Sequence, residues 1–410
     1  MAKSADVVIV GAGIIGLSIA HQIQRRSRLK VIVLEKGAGL GEGSTGDSSA
    51  VCRFRYTHDD MVLLARDGVA AYRNWSEFLR LDNPAGSYHR QGNLWFSALG
   101  RAWAEREASR LNGLGVAAEV LDDDSLGNLF PLMNRCVRSP DLETGQSHNC
   151  AGGGVHLLEP DAGYMDPMAA AADLLHAVRR EGVVQFRAKV TQVLTEGDRA
   201  VGVRLDSVEE IHAGIVINAS GPWCNDLLQE LGLNRWPLVP TRIQIVHVDC
   251  PPEYRGQVPI CADLTSGIYF REQIGSRQIL VGSILESDEQ EAIPDPEHFD
   301  KTFDGMFAAA KLHALAHRLP GLNIRNVRGY SGLYTINTSD VHPVVGETAL
   351  SGFFVANGCS GHGFKLAPAI GALIARSVTG QPDAFDTLVN PTFLAFGRPP
   401  LHVATKSALA

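Results

Sequence analysis

No run of Lys and Arg offsets the acidic balance of this 410-residue chain, whose 37 basic and 45 acidic side chains leave a formal charge of −8. A protein held to nucleic acid by phosphate contacts needs the opposite surplus, so that class is set aside. No apolar run approaches the ~20 residues that span a bilayer. The longest candidates are residues 7–15 and 367–374, and no transmembrane segment is expected. The seven cysteines are scattered without a C-x-x-C pair, which suits free thiols and predicts no metal centre. Internal repeats are absent, and no charged and apolar leader precedes the first strand, so a cytoplasmic location is expected. Disorder is excluded by composition, since 45% of residues are hydrophobic and 20% charged. At roughly 150 residues per domain, the length predicts two domains.

The strongest signal lies in the first forty residues. Residues 6–10 (DVVIV) form a β-branched run of the kind buried in a parallel sheet. It ends at Gly11-Ala12-Gly13-Ile14-Ile15-Gly16, after which residues 17–25 have helical spacing, and a second apolar run at 30–34 stops at Glu35. In a G-x-G-x-x-G turn the first glycine allows the tight bend and the second lets the backbone approach a pyrophosphate. The third lets helix and strand pack closely. The helix N-terminus faces the phosphates, and an acid at the position of Glu35 can accept both ribose hydroxyls. The hydroxyl-rich loop Gly41-Glu42-Gly43-Ser44-Thr45-Gly46-Asp47-Ser48-Ser49 follows directly, where a plain nicotinamide-binding domain would continue with helix and strand. Such a loop can offer N–H and hydroxyl groups to a diphosphate or a flavin, with a polar linker as the alternative.

Further on, helices are predicted over 61–79, 101–111, 168–181, 298–319 and 367–378. Strands are predicted over 92–97, 184–194, 200–205, 211–216, 242–248, 267–271, 278–284 and 352–356. The last strand runs into Asn357-Gly358-Cys359-Ser360-Gly361-His362-Gly363-Phe364-Lys365 and then a helix, a second glycine-rich strand-to-helix junction. Residues 397–410, with two prolines and little periodicity, read as a loose tail.

Taken together, VIVGAGIIGLSIA with Glu35, GSTGDSSAVCRFRY, GYMDP, VINASGPW, GLYTINTSDVHPVVG and SGHGFKLAPAIG resemble the FAD-dependent D-amino-acid oxidase superfamily. The likeness is in particular to the branch of monomeric sarcosine oxidase and the dimethylglycine dehydrogenase-like proteins. The resemblance implies an α/β fold with a Rossmann-like FAD domain assembled from residues 1–54, 146–235 and 326–390. A mixed-sheet substrate domain would be inserted at 55–145 and 236–325, leaving a C-terminal tail at 391–410. It assigns FAD contacts to Gly11, Gly13, Ile14, Ile15, Gly16, Glu35 and Lys36, and to Ser44, Thr45, Ser48 and Ser49. Val190, Ala219, Gly221, Trp223, Gly332, Gly361, Gly363, Phe364 and Lys365 complete that set.

The same resemblance implies oxidation of a secondary or N-substituted amino acid by hydride transfer to the flavin, with water hydrolysing the imine. The sarcosine-oxidase branch binds the substrate carboxylate through an Arg and a Lys that match Arg53 and Lys365, with Arg55 as the near neighbour. Tyr334 matches an active-site tyrosine, and it also stands where the glycine-oxidase branch carries a carboxylate-binding Arg. His362 falls in the flavin loop. Departures from the family pattern matter too. Gly332 replaces the cysteine that anchors the flavin covalently in sarcosine oxidase, and Ser44 and Thr45 stand where related dehydrogenases use a histidine, so noncovalent FAD is expected. The oxidase lysine over the flavin is replaced by Leu280, in a chain with only eight lysines, and a nearby tyrosine and histidine by Phe270 and Ile284. Loss of that positive charge favours a dehydrogenase whose acceptor is a quinone or an electron-transfer protein over one using oxygen. A D-amino-acid or glycine-type oxidase, or a flavin-binding assembly protein without turnover, are the alternatives.

Overall fold

A computed structural model describes residues 3–146, 148–407 and 409; the outermost positions of the expected first segment and tail, and position 147, lie outside them. Val7–Val10, every residue buried, is central in a six-stranded sheet. The order is Val183–Gln185, Val31–Leu34, Val7–Val10, Ile215–Asn218, Phe353–Asn357 and Val344–Glu347, all parallel except the last. Continuous apolar runs suit strands covered on both faces. The helices Ile14–Arg26, Pro167–Arg179 and Gly363–Thr379 pack together, and their buried residues share one core with that sheet.

An eight-stranded, mostly antiparallel sheet stands beside it, in the order Arg328–Asn337, Leu238–Asp249, Gln278–Ser283, Ile268–Gln273, Ile260–Asp263, Asn93–Phe96, Val155–Glu159 and Glu119–Asp122. Its residues alternate between two surroundings, as a pleat requires. Val246, Val248, Phe270, Ile279 and Val281 pack with Leu312 and Leu315 of the helix Gly305–Arg318. Ile243, Ile245, Tyr269, Leu280, Tyr330 and Tyr334 form a separate cluster. The strands Val155–Glu159 and Arg328–Asn337 thus pair in this sheet, although their residues fall in segments that the resemblance allots to the FAD domain.

Several predicted elements are shorter than expected. The helix over 61–79 is two, Asp59–Arg73 and Trp75–Leu79, divided at Asn74, whose amide bonds back to the carbonyl of Ala70 at 2.8 Å. The helix over 298–319 begins only at Gly305, because Asp300 folds 300–302 into a turn by accepting the Thr302 N–H at 2.8 Å. The strand over 184–194 is interrupted near Arg187, whose φ is +56°. The tail is not loose through its first part: Arg398 is buried and ion-paired with Asp340. Among the described residues, no helix is long and apolar enough to cross a membrane.

Candidate active site

The glycine turn is formed as its spacing demands. Gly11 has φ +105°, and a Cβ there would meet the carbonyl oxygen of Ala219 at 2.5 Å, so only glycine fits between the two strand ends. Glu35 closes the neighbouring strand, accepting the N–H of Ala12 at 2.9 Å on one oxygen and that of Gly37 at 2.8 Å on the other. Thr45 Oγ accepts the Ile14 N–H at 3.0 Å and so ties the hydroxyl-rich loop to the helix N-terminus. Ser44 Oγ donates to the carbonyl of Leu333 at 2.5 Å.

These groups open on a cavity of about 830 Å³. Gly11, Gly13, Ile14, Ile15, Glu35, Lys36, Ser44, Thr45, Ser48 and Val190 line it, as do Ala219, Gly221, Trp223, Tyr334, Gly361, Gly363 and Phe364. Lys36 Nζ sits 3.5 Å from the centroid of the Trp223 ring and pairs with Glu297. Gly16 lies behind the wall, close against the Gly11 carbonyl. Ser49, Gly332, Lys365, His362 and Arg53 are likewise outside the lining. Asp47 and Lys301 are wall residues that the sequence did not single out; burial raises the Asp47 carboxyl to about 6 despite Lys301. The acid at a strand end, the glycine cradle, two helix N-termini and the cavity's size fit an elongated dinucleotide.

At the start of the helix Gly363–Thr379 lies a second group of residues. Gly68 lets the helix Asp59–Arg73 approach so closely that a Cβ there would meet the Lys365 carbonyl at 2.2 Å. Tyr72 donates its hydroxyl to the Phe364 carbonyl at 2.7 Å and stacks on the Phe364 ring, centroids 5.0 Å apart. Lys365 is thereby buried with its Nζ 5.9 Å from the Tyr56 ring. The Arg53 guanidinium lies 4.3 Å from the same ring. Burial, with Arg53 nearby, lowers the Lys365 ammonium to about 7. Arg55 pairs with Glu107 at 3.0 Å and lies over the rings of Trp95 and Trp103 rather than Tyr56, while Arg53 donates to the Arg55 carbonyl. Arg53 is therefore the arginine that shares Tyr56 with Lys365. Glu159 accepts the N–H groups of Phe54 at 3.1 Å and Arg55 at 2.6 Å, fixing the backbone between the two arginines.

His362 contacts Tyr56 through Nδ1 at 3.4 Å, and burial, then Lys365, holds its imidazole well below the usual range and neutral. Cys359 lines the cavity, but burial pushes its thiol up to about 12, so it is no thiolate. Tyr334 lies against Gly361, where an added Cβ would meet the ring at 2.7 Å. It packs in the aromatic and aliphatic cluster that also holds Leu280. The expectation at Phe270 is corrected. Phe270 points into the core behind the sheet, and Tyr269, one residue earlier, joins Leu280 and Tyr334. Arg271 was missed by the sequence reading. It is buried, stacks 3.8 Å over Tyr164 and donates through Nε and Nη2 to the Ser49 carbonyl at 3.0 and 2.8 Å. Its strand position beside Leu280 gave a signal, alternation from Tyr269, that a correct register would have used.

The comparisons agree with this geometry. The chain is 27% identical to bovine (Bos taurus) "FAD-dependent oxidoreductase domain-containing protein 1", over 92% of this chain and 81% of that protein. It is 28% identical to the "4-methylaminobutanoate oxidase (formaldehyde-forming)" of Paenarthrobacter nicotinovorans, over 93% of this chain and 44% of that enzyme. The solved L-proline dehydrogenase of P. horikoshii superimposes with a TM-score of 0.81 at 22% identity, covering 97% of this chain and 98% of that one. The family model described as "FAD dependent oxidoreductase" (DAO) matches residues 6–377, and with a cavity built for its cofactor the chain belongs to that family of FAD-dependent oxidoreductases.

Proposed function

We propose that the protein oxidises a secondary or N-substituted amino acid and passes the electrons to an acceptor other than oxygen. The observation that carries the substrate class is the pair of buried cations, Arg53 and Lys365, around Tyr56. Two fixed cations in aromatic surroundings recognise a carboxylate, Arg as a planar fork and Lys as a point charge. The neighbouring cluster of Ile243, Ile245, Tyr269, Leu280, Tyr330 and Tyr334 suits the apolar part of an N-alkyl substrate. The likeness to the 4-methylaminobutanoate oxidase, whose name gives an N-methyl amino acid as its substrate, supports the same class.

Gly11, Gly13, Glu35, Thr45 and the Ala219–Trp223 turn would hold the dinucleotide, and Gly361 to Phe364 its reactive end. When bound, FAD supplies a two-electron acceptor for the hydrogen on the carbon beside the amine nitrogen. Arg53 and Lys365 fix the carboxylate, Tyr334 borders the reacting carbon, and the apolar cluster excludes water until the imine leaves and is hydrolysed. Gly332 supports noncovalent attachment, since the Asp47 side chain occupies the space a larger residue would need. Leu280, 1% exposed within its apolar cluster, stands where the oxidase lysine is expected and supports a dehydrogenase, the nearest strand cation being Arg271, whose guanidinium is held by the Ser49 carbonyl. We also assign residues 1–54, 146–235 and 326–390 to cofactor binding and 55–145 and 236–325 to the substrate, the tail being 391–410. The six-stranded sheet, formed only by strands of the first set, supports that division.

The test is an anaerobic absorbance record of the holoprotein with sarcosine, N-methyl and N-carboxyalkyl amino acids, proline-like imino acids and D-amino acids. The expected result is bleaching by an N-substituted acid and slow recovery in air. Fast recovery would make the protein an oxidase, and bleaching only by D-amino acids would move the substrate class. A yellow protein that nothing bleaches would favour a binding partner without turnover.

A further inference from the structure

Among the described residues one group has the composition of a soft-metal centre, and it lies in the substrate half of the chain rather than in the FAD cavity. Donor atoms of Cys136, His148 and Cys150 all fall within 4.8 Å of one another. Cys136 is buried and Cys150 is at the surface. The His148 Nδ1 contacts the Asn149 carbonyl at 3.2 Å, whereas its Nε2 is buried without a hydrogen-bond partner. On the last turns of the helix Gly305–Arg318, the Nε2 atoms of His313 and His317 are also buried and unpartnered. The His317 ring lies 5.1 Å from that of His148, centroid to centroid. The buried, unsatisfied nitrogens of His148 and His317 are a cost that a ligated cation removes.

Two side chains tie these residues together. Arg318, fully buried and ion-paired with Asp263 at 2.8 Å, donates to the carbonyl of Cys136 at 3.1 Å through both terminal nitrogens. Asn134 donates its amide to the His317 carbonyl at 3.0 Å and to Cys150 Sγ at 3.3 Å, so one side chain joins the helix to the cysteine loop. It also accepts the Cys136 N–H at 3.0 Å.

We propose that Cys136, His148 and Cys150 bind one zinc ion, with His317 as the fourth ligand. Two thiolates and two neutral imidazoles match the preference of Zn²⁺ for tetrahedral sulfur and nitrogen donors, and a closed set of four marks a structural centre. Binding replaces the two thiol protons, which pass to solvent, and no electron moves. The ion fastens Cys136, His148 and Cys150 to the C-terminal end of the helix. The sequence reading expected no metal because it found no C-x-x-C pair and no cysteine beside a histidine at ligand spacing; His148-x-Cys150 follows Cys136 on one segment, and His317 lies on another. Only the fold brings them together.

The FAD-loaded full-length protein, purified without chelator, is analysed for metal by mass spectrometry, with FAD content measured alongside. One zinc per chain is expected, and Cys150→Ser and His148→Ala should each weaken zinc binding about tenfold or more while FAD content stays unchanged. Replacement by Co²⁺ should give ligand-field bands to the red of the flavin absorption, with the intensity of a tetrahedral thiolate site. His317→Ala should weaken those bands. Absence of bound metal in the wild type, no effect of Cys150→Ser on metal content, or a Cys136–Cys150 disulfide in place of free thiols would each overturn the assignment.

Discussion

Lys365 sits where a family motif predicts a substrate contact, yet the motif says nothing of its protonation, which the packing decides. The helix Asp59–Arg73 closes over it through Gly68, and Arg53 shares its ring neighbour, so burial and like charge together lower the ammonium to about 7. The sign follows directly. Below pH 7 the side chain is charged and attracts a carboxylate; above it the charge, and with it the affinity, is lost. The kcat/KM of the holoenzyme for a carboxylate substrate should therefore fall through a pKa near 7, the value of the free enzyme. Lys365→Met should lower kcat/KM by roughly 10²-fold, a loss of about 3 kcal/mol for a charge-assisted contact, and should remove that limb of the profile. A profile unchanged in Lys365→Met would assign the limb to another group. At this scale the sequence identified residue types well and orientations poorly. Motif matching reached Arg53, and the ion pair of Arg55 with Glu107 separates the two arginines only in three dimensions. The match falls on Phe270 while Tyr269 faces Leu280, because a strand's two faces differ by one residue and a weakly matching strand does not hold that register.

Helices and strands were legible where hydrophobic period and punctuation agreed. The turn at Gly11, the helix after it and the acid at Glu35 all follow from one short stretch, since each glycine has a local reason. The boundaries that failed depend on side chains that bond to their own backbone, Asn74 to Ala70 and Asp300 to Thr302, and such competition leaves the apolar period intact. Close contact between elements is equally silent in the sequence. Gly68 lies in a helix interior, where replacement by Ala ordinarily stabilises by about 1 kcal/mol. Here the new Cβ would press on the Lys365 carbonyl, backbone that cannot swing aside. Gly68→Ala is therefore expected to destabilise by about 1–3 kcal/mol and to slow flavin reduction by displacing the first turn of the Gly363–Thr379 helix. Thermal unfolding and anaerobic stopped-flow measure both. A stabilised, fully active variant would mean that the two helices are free to separate.

For the whole molecule, the informative feature is the segment that the sequence describes as a loose end. The Arg398 guanidinium stacks 4.5 Å over Trp236 and pairs with Asp340, 58 residues earlier. Asp340 also accepts N–H groups from His342 at 3.0 Å and Leu401 at 2.7 Å, and Trp236 donates to the Phe396 carbonyl at 2.7 Å. No local pattern announces this, because the partners come from three separate regions and a lone Arg among prolines has no periodicity. Burial alone would raise the Asp340 carboxyl, but Arg398 and the N–H groups outweigh it and hold it below its usual value. A carboxylate with a depressed folded-state pKa contributes stability above its unfolded value, and that contribution disappears as pH falls through the folded one. Arg398→Ala leaves a buried carboxylate without its cation, which costs about 3 kcal/mol or more and should lower Tm by roughly 5 °C at pH 7. The gap between wild type and variant should narrow as pH falls, beginning where Asp340 protonates in the folded variant, which burial without Arg398 raises, and closing through the depressed value of the folded wild type. Removal of residues 403–410 keeps Arg398, Leu401 and the His402 carbonyl that contacts His58 at 2.8 Å, so it should leave most of that stability in place. Equal losses from the point variant and the short truncation would locate the anchor beyond residue 402 and take it away from Arg398.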